Sequence, residues 1–376
     1  MSEFLQLMED WNGYQPVGQS FSEAQVAQAI DLLSNAKRMP HHRHEYYLRE
    51  ATTTADFPNL FGFIVEREIV AKYRANVADW RAYCKVGTLP DFKQAELHKV
   101  QGQEHILPRV AEKAEYQQMQ TSDAHYHRQI FKYGRQFDIS WEALVNDTLG
   151  AMSDIPERFA TAAIRTEAFN VTSLYAAAAG PNPLLFGAPI LDVDGGNVTN
   201  LGNLPLNIAN LGTTLMLMAA QVDILGDPIA VRGVHLVVPP ALELIGRQVI
   251  TSAVAAWVND AAAPAVPMPV LNVLSQMNLQ LHVDPYLPVV DVSANRNGTW
   301  YVFADPAIAP AIQMDYLRGY ETPEICMKAS NKVSVTGTPL GPFSGDFETD
   351  NVLYRVRCCH GGTQLDPRYC YAQVSA

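Results

Sequence analysis

His41-His42-Arg43-His44-Glu45 gathers metal-type ligands into five consecutive residues. Imidazole and carboxylate groups suit zinc and similar ions, and an ion held that way can activate water for hydrolysis. The spacing argues against such a centre. It is not H-E-x-x-H, and three histidines within four residues cannot all face one ion on a helix. A solvated linker is the expected state. His125 and His127 share one face of a strand and could chelate, but a solvated face is again the expectation. Cys358-Cys359-His360 puts adjacent thiols on opposite strand faces, outside any one ligand sphere. Asp192-Val193-Asp194-Gly195-Gly196 opens like a calcium loop, yet Asn203 stands where the twelfth-position acid belongs, so a plain turn is read. No G-x-S-x-G, Walker or G-x-G-x-x-G motif occurs. No catalytic, cofactor-binding or metal residue is therefore assigned, no cofactor is expected, and the chain is read as a non-enzyme.

Composition narrows the classes further. The chain has 376 residues, enough for two or three compact units, and 48% are hydrophobic, enough for a sizeable core. Only 18% are charged, low for a freely soluble monomer. A net charge of −12 argues against a protein that grips nucleic acid, though an inner surface could face DNA without binding its sequence. Five cysteines without a C-x-x-C pair suggest neither a disulfide framework nor a zinc site, and point to synthesis in a reducing cytoplasm. Met1 to Asp10 lacks the pattern of a secretion signal, and no stretch nears the ~20 apolar residues of a membrane span.

The element signals centre on one long helix. Asp154 with Glu157 reads as its N-cap, Pro156 sits in its first turn, and Gly180-Pro181 stops it. Ile164, Ala168, Val171 and Tyr175 make an apolar stripe over 154–179, flanked by Phe159, Ala163 and Thr166. Before it, Phe21 to Lys37 and Phe61 to Tyr83 read as helices, the second with Ile69, Tyr73, Val77, Trp80 and Cys84 on one face.

From Val86-Gly87 to Ile130 large apolar residues are sparse, and Phe131, Tyr133, Phe137 and Ile139 then fall on one strand face. The chain reads as a long two-stranded hairpin whose return strand starts near His125. Such a hairpin is marginal alone. Nothing in the sequence looks able to cover it, so a neighbouring subunit is the expected cover. This is a physical argument for assembly.

Residues 206–288 read as an α/β unit. Helices are expected over 208–218 and 241–258, buried strands over 234–238 and 279–283, and an Ala/Pro loop over 261–269. Strands follow at 299–304, 351–359 and 369–374, with Gly361-Gly362 expected to turn the chain between the last two.

Tyr133-Gly134-Arg135-Gln136-Phe137-Asp138-Ile139-Ser140, followed by Leu144-Val145-Asn146-Asp147 and Leu149-Gly150, carries a family resemblance. The run resembles the Y-G-R-x-F-x-I-S…L-x-N-D-x-L-G segment of tailed-phage major capsid proteins of the Hong Kong 97 type, the Mu-like branch especially. Thr148 replaces an acidic residue common there. Thr54 to Gly62, Thr299 to Pro306 and Tyr316-Leu317-Arg318-Gly319 are similar to segments of the same family.

The resemblance implies an α+β, Hong Kong 97-like capsid fold. Residues 1–85 would form an N-terminal arm and helix and 86–139 the extended loop. A peripheral domain with the spine helix would take 140–204 and 321–376, and an axial domain 205–320. It makes Tyr133, Gly134, Arg135, Phe137, Ile139, Asn146 and Asp147 the junction of extended loop and spine. It implies self-assembly into hexamers and pentamers of an icosahedral shell around double-stranded DNA. Portal, scaffold, maturation protease and decoration protein are the implied partners, and the virion the location. No cross-link site is carried over. The alternatives are an encapsulin-like nanocompartment shell and, from another class, a metal-dependent hydrolase built on the histidine clusters.

Overall fold

The structure is a computed structural model that describes residues 73, 78–101, 109–110, 112–113, 115–116, 122–140, 150–187, 200–222, 227–252, 254–258, 267–328, 330–333, 335 and 345–375. The expected arm, the 21–37 helix, most of the 61–83 helix, His41 to Glu45 and the 192–196 turn lie outside them.

The strands and helices, in chain order, are β1 (Lys85–Leu89), β2 (Ala95–Gln101), β3 (Ser122–Arg128), β4 (Phe131–Ser140), α1 (Gly150–Tyr175), β5 (Ala176–Ala177), β6 (Gly180–Pro181), β7 (Leu201–Gly202), α2 (Ile208–Ala219), β8 (Gly233–Val238), α3 (Glu243–Thr251), β9 (Val254–Val258), β10 (Pro267–Leu271), β11 (Gln280–Val283), α4 (Leu287–Val290), β12 (Trp300–Ala304), β13 (Ile312–Leu317), β14 (Glu324–Met327), β15 (Asn351–Gln364) and β16 (Cys370–Gln373). Two compact units share them. One takes Met1–Val77, Lys132–Ile164 and Tyr320–Cys359; the other takes Ala78–Phe131, Arg165–Gly319 and His360–Ala376.

The larger unit is built on a mixed sheet ordered β11-β8-β12-β16-β7. Its strands alternate between two buried faces, which is why they read as unbroken apolar runs. Trp300, Val302, Leu236, Val238 and Tyr371 join a core with Leu211, Met218 and Val249 from α2 and α3. Tyr301, Phe303, Val237, Cys370 and Ala372 turn the other way, onto Val171, Tyr175, Ile312 and Met314. In the same unit β1 runs parallel to β13, and β13 pairs antiparallel with the end of β15, from Ile312↔Gln364 to Tyr316↔His360.

The smaller unit pairs β14 with β15, from Glu324↔Arg357 to Met327↔Tyr354, and sets β4 against β15 as well. The expected alternation holds: Val352, Tyr354 and Val356 are buried with Phe159 and Ile325, while Arg355 faces solvent.

Four sequence expectations are corrected. The long helix runs Gly150–Tyr175, not 154–179, so residues 154 and 156 lie within it rather than at its cap. It stops early because Asn182 takes its last carbonyls: Asn182 Nδ2 donates to Ser173 O and Leu174 O, and Asn182 N donates to Tyr175 O. A short bridge of β5 with β6 follows, and Gly180 supplies the positive φ of 120° there.

The expected 241–258 helix is α3 and then a strand. Asn272 Nδ2 donates to Val249 O and Ser252 O and so closes α3, after which Val254–Val258 pairs with Pro267–Leu271; of the expected 261–269 loop, 267–269 are strand and 261–266 lie outside the described residues. Val254, Trp257 and Val258 favour a strand over a helix.

Gly361 and Gly362 do not turn the chain. They are strand residues chosen for close approach. A Cβ on Gly361 would lie 1.9 Å from Gln129 O, and one on Gly362 would lie 2.7 Å from Leu174.

The return strand expected from His125 to Ile139 is two strands, β3 and β4, with Gln129 and the buried Ile130 between them. The break lies where Gly361 meets Gln129 and Ile130.

Candidate functional site

The β2–β3 hairpin pairs residues whose relation depends on register. Leu97 faces Tyr126, His98 faces His125, and Glu96 faces His127. Side chains alternate along a strand, so one face carries Leu97 and Tyr126 and the other carries Glu96, His98, His125 and His127. The apolar face rests on Leu365, and Tyr126 is 4% exposed. Part of the cover thus comes from the chain itself, where the sequence offered no candidate. The polar face is exposed at all four positions.

At the hairpin base, Arg128 Nη1 donates to Asp315 Oδ1 at 3.1 Å, and Gln313 Nε2 donates to the same oxygen at 2.7 Å. Burial pushes the Asp315 carboxyl up from its usual range, against the opposing pull of Gln313 and Arg128. Gly87 makes room for this cluster, since a Cβ there would meet Asp315 Oδ1 at 2.4 Å.

The junction residues fall partly within the described chain. Tyr133, Gly134, Arg135, Phe137 and Ile139 all lie on β4; Asn146 and Asp147 lie outside the described residues. Gly134 has a physical reason: a Cβ would come 2.7 Å from Val356 O on β15. The Phe137 ring meets Phe159 edge-on at 6.2 Å, which ties β4 to the helix within the smaller unit. Arg135 faces solvent. On the same strand, Asp138 Oδ2 accepts from Asn351 Nδ2 at 3.4 Å.

A buried polar network occupies the larger unit and was not legible in the sequence. Asp284 Oδ2 accepts from Thr172 Oγ1 at 2.5 Å and also from the Tyr175 hydroxyl. The Tyr83 hydroxyl lies 3.4 Å from that of Tyr175. His235 Nδ1 and His282 Nε2 are 3.0 Å apart, and His282 Nδ1 approaches Asp79 at 3.5 Å. Burial pushes His235 down to about 4 and lowers His282, so the pair is neutral at pH 7. Burial also raises Asp284, Tyr83 and Tyr175. Thr172, Tyr175 and Asp284 satisfy one another inside the core, whereas His282 Nδ1 has no hydrogen-bond partner and Asp79 is largely exposed. The cysteines are free, and burial raises the thiols of Cys84, Cys359 and Cys370. Among the described residues no helix is long and apolar enough to cross a membrane.

A family model described as phage capsid protein matches residues 128–373. The chain is similar to the capsid structure of the cyanophage P-SCSP1u, with 14% identity over 80% of this chain and 88% of that one, TM-score 0.48. It is similar to the holo-SrpI encapsulin complex from Synechococcus elongatus PCC 7942, with 8% identity over 82% and 88% and TM-score 0.46. It is similar to the mature capsid of bacteriophage PhiM1, with 9% identity over 80% and 87% and TM-score 0.45. No curated protein matches.

Proposed function

The chain belongs to the phage capsid protein family, and from that premise we propose that it is the major head subunit of a tailed phage or prophage, of the Hong Kong 97 type. Its work is assembly. Copies associate as hexamers and pentamers into an icosahedral shell that encloses double-stranded DNA without reading its sequence. A net charge of −12 suits a wall that contains DNA rather than a protein that grips it. Portal, scaffold, maturation protease and decoration protein are the partners this reading carries, and host cytoplasm the place of synthesis.

The observation that carries the reading is the β2–β3 hairpin. Its polar face is exposed and its buried face is small, so ordering it leaves little surplus within one subunit. Contact with a neighbour supplies the rest. In this division of labour the junction of Tyr133, Gly134, Arg135, Phe137, Ile139, Asn146 and Asp147 fixes the hairpin to the spine helix. Residues 1–85 form the arm, 86–139 the extended loop, 140–204 with 321–376 the peripheral domain, and 205–320 the axial domain. No step of catalysis belongs to the proposal.

Sedimentation velocity of the expressed full chain tests it. The reading expects a fast boundary far above the 41.5 kDa subunit. A subunit that stays monomeric at every concentration and salt condition, with its scaffold co-expressed, would refute it.

A further inference from the structure

The hairpin register joins residues that the sequence left apart. Glu96 and His98 stand two apart on β2, and His125 stands opposite His98 on β3. The His98 and His125 rings sit edge-to-face with centroids 4.6 Å apart. His98 Nε2 lies 3.7 Å from Glu96 Oε2. One ligand atom from each of the three residues falls within 4.8 Å of the other two. We propose that Glu96, His98 and His125 form a binding site for a divalent transition-metal ion of the zinc class, bridging the two strands of the hairpin.

Two imidazoles and a carboxylate suit zinc, cobalt, nickel or copper; magnesium and calcium want oxygen ligands throughout. Bonds of about 2.0–2.2 Å need the three groups to close slightly around the ion. They can do so by side-chain rotation, because all three are exposed and stand on one face. Three protein ligands leave the fourth position to water. His127 lies opposite Glu96 on the same face but outside the close set.

The site would act as a clip. His98 and Glu96 come from one strand and His125 from the other, so a bound ion crosses the hairpin where the apolar face is thin. Metal binding of this kind adds directly to the stability of the element that carries the ligands. The inference goes beyond shell formation and does not rest on it.

The test uses unassembled full-length subunits freed of metal by chelation. Zinc affinity and stoichiometry are measured by calorimetry, and coordination by the visible absorption of bound cobalt. One zinc per chain is expected, with a low-coordinate cobalt spectrum. His98→Gln and His125→Gln should each weaken zinc by about tenfold or more, since losing a ligand costs at least as much as losing a group that only orients one. Zinc should slow hydrogen exchange of 95–101 and 122–128 in the parent chain and not in the double variant. A chain with His41, His42 and His44 all changed to Gln should bind as the parent does. Unchanged affinity in the double variant, loss of binding in the linker variant, or no saturable site in the parent would overturn the proposal. Unaltered exchange across 165–175 in each variant shows that the fold is intact.

Discussion

Arg128 and Asp315 are 187 residues apart in sequence and joined by a 3.1 Å hydrogen-bonded ion pair, with side chains 18% and 1% exposed. Arg128 is the last residue of β3, and Asp315 lies in β13. The pair is the polar anchor of the hairpin, and Gln313 and Gly87 make its geometry.

Arg128→Met should cost roughly 2–3 kcal/mol in urea unfolding. Breaking a buried pair costs about 3–5, and the partial exposure of Arg128 reduces that. Asp315→Asn, which keeps an acceptor for Gln313 and removes a carboxyl that burial disfavours as an anion, should cost less, about 1 kcal/mol. Equal losses from both would show that removing either partner strands the other charge to the same degree, and would contradict the smaller cost expected for Asp315→Asn.

Gly361→Ala and Gly134→Ala should each destabilise by about 1–3 kcal/mol through overpacking. Their added carbons would meet Gln129 O at 1.9 Å and Val356 O at 2.7 Å, both backbone atoms. Gly212→Ala, where nothing lies within 4 Å, is the control and should be neutral or slightly stabilising. Midpoints of chemical unfolding decide this.

These glycines also show what the sequence could and could not tell. Gly361-Gly362 looks like a turn from composition alone, because the reason for it, the passage of Gln129 and Ile130, is a contact across distant chain. Asn182 and Asn272 end helices by reaching back to carbonyls, which propensity does not register. Trp300 to Ala304 and Val234 to Val238 were legible, since strands buried on both faces need no distant partner to be recognised. Gly134 stood out by motif, and β15 supplies its physical reason. The facing of His98 and His125 was hidden because it depends on hairpin register.

Stability should fall as the medium is acidified from pH 6.5, with His360 contributing. Burial pushes its imidazole down to about 4 from an ordinary 6.5, and Asn170 Nδ2 lies 2.8 Å from its Nε2. Between those values the unfolded chain binds a proton that the folded chain refuses, so folding loses stability as pH drops through the window. His360→Gln should narrow its stability gap to the parent by up to about 1.4 kcal/mol per pH unit there. Asp284 and Asp315, whose raised carboxyls act in the opposite sense, are common to both chains and cancel in the difference. A gap independent of pH would contradict the assignment.

Negative-stain electron microscopy of the expressed full chain, beside a chain in which 95–125 is replaced by a short Gly/Ser turn, separates shell formation from subunit folding. Closed, uniform shells are expected from the parent. The replaced chain should give folded subunits without shells, with hydrogen exchange still slow across 159–175. Shells of normal size and number from the replaced chain, or only scattered single subunits from the parent with its scaffold co-expressed, would contradict the proposed function.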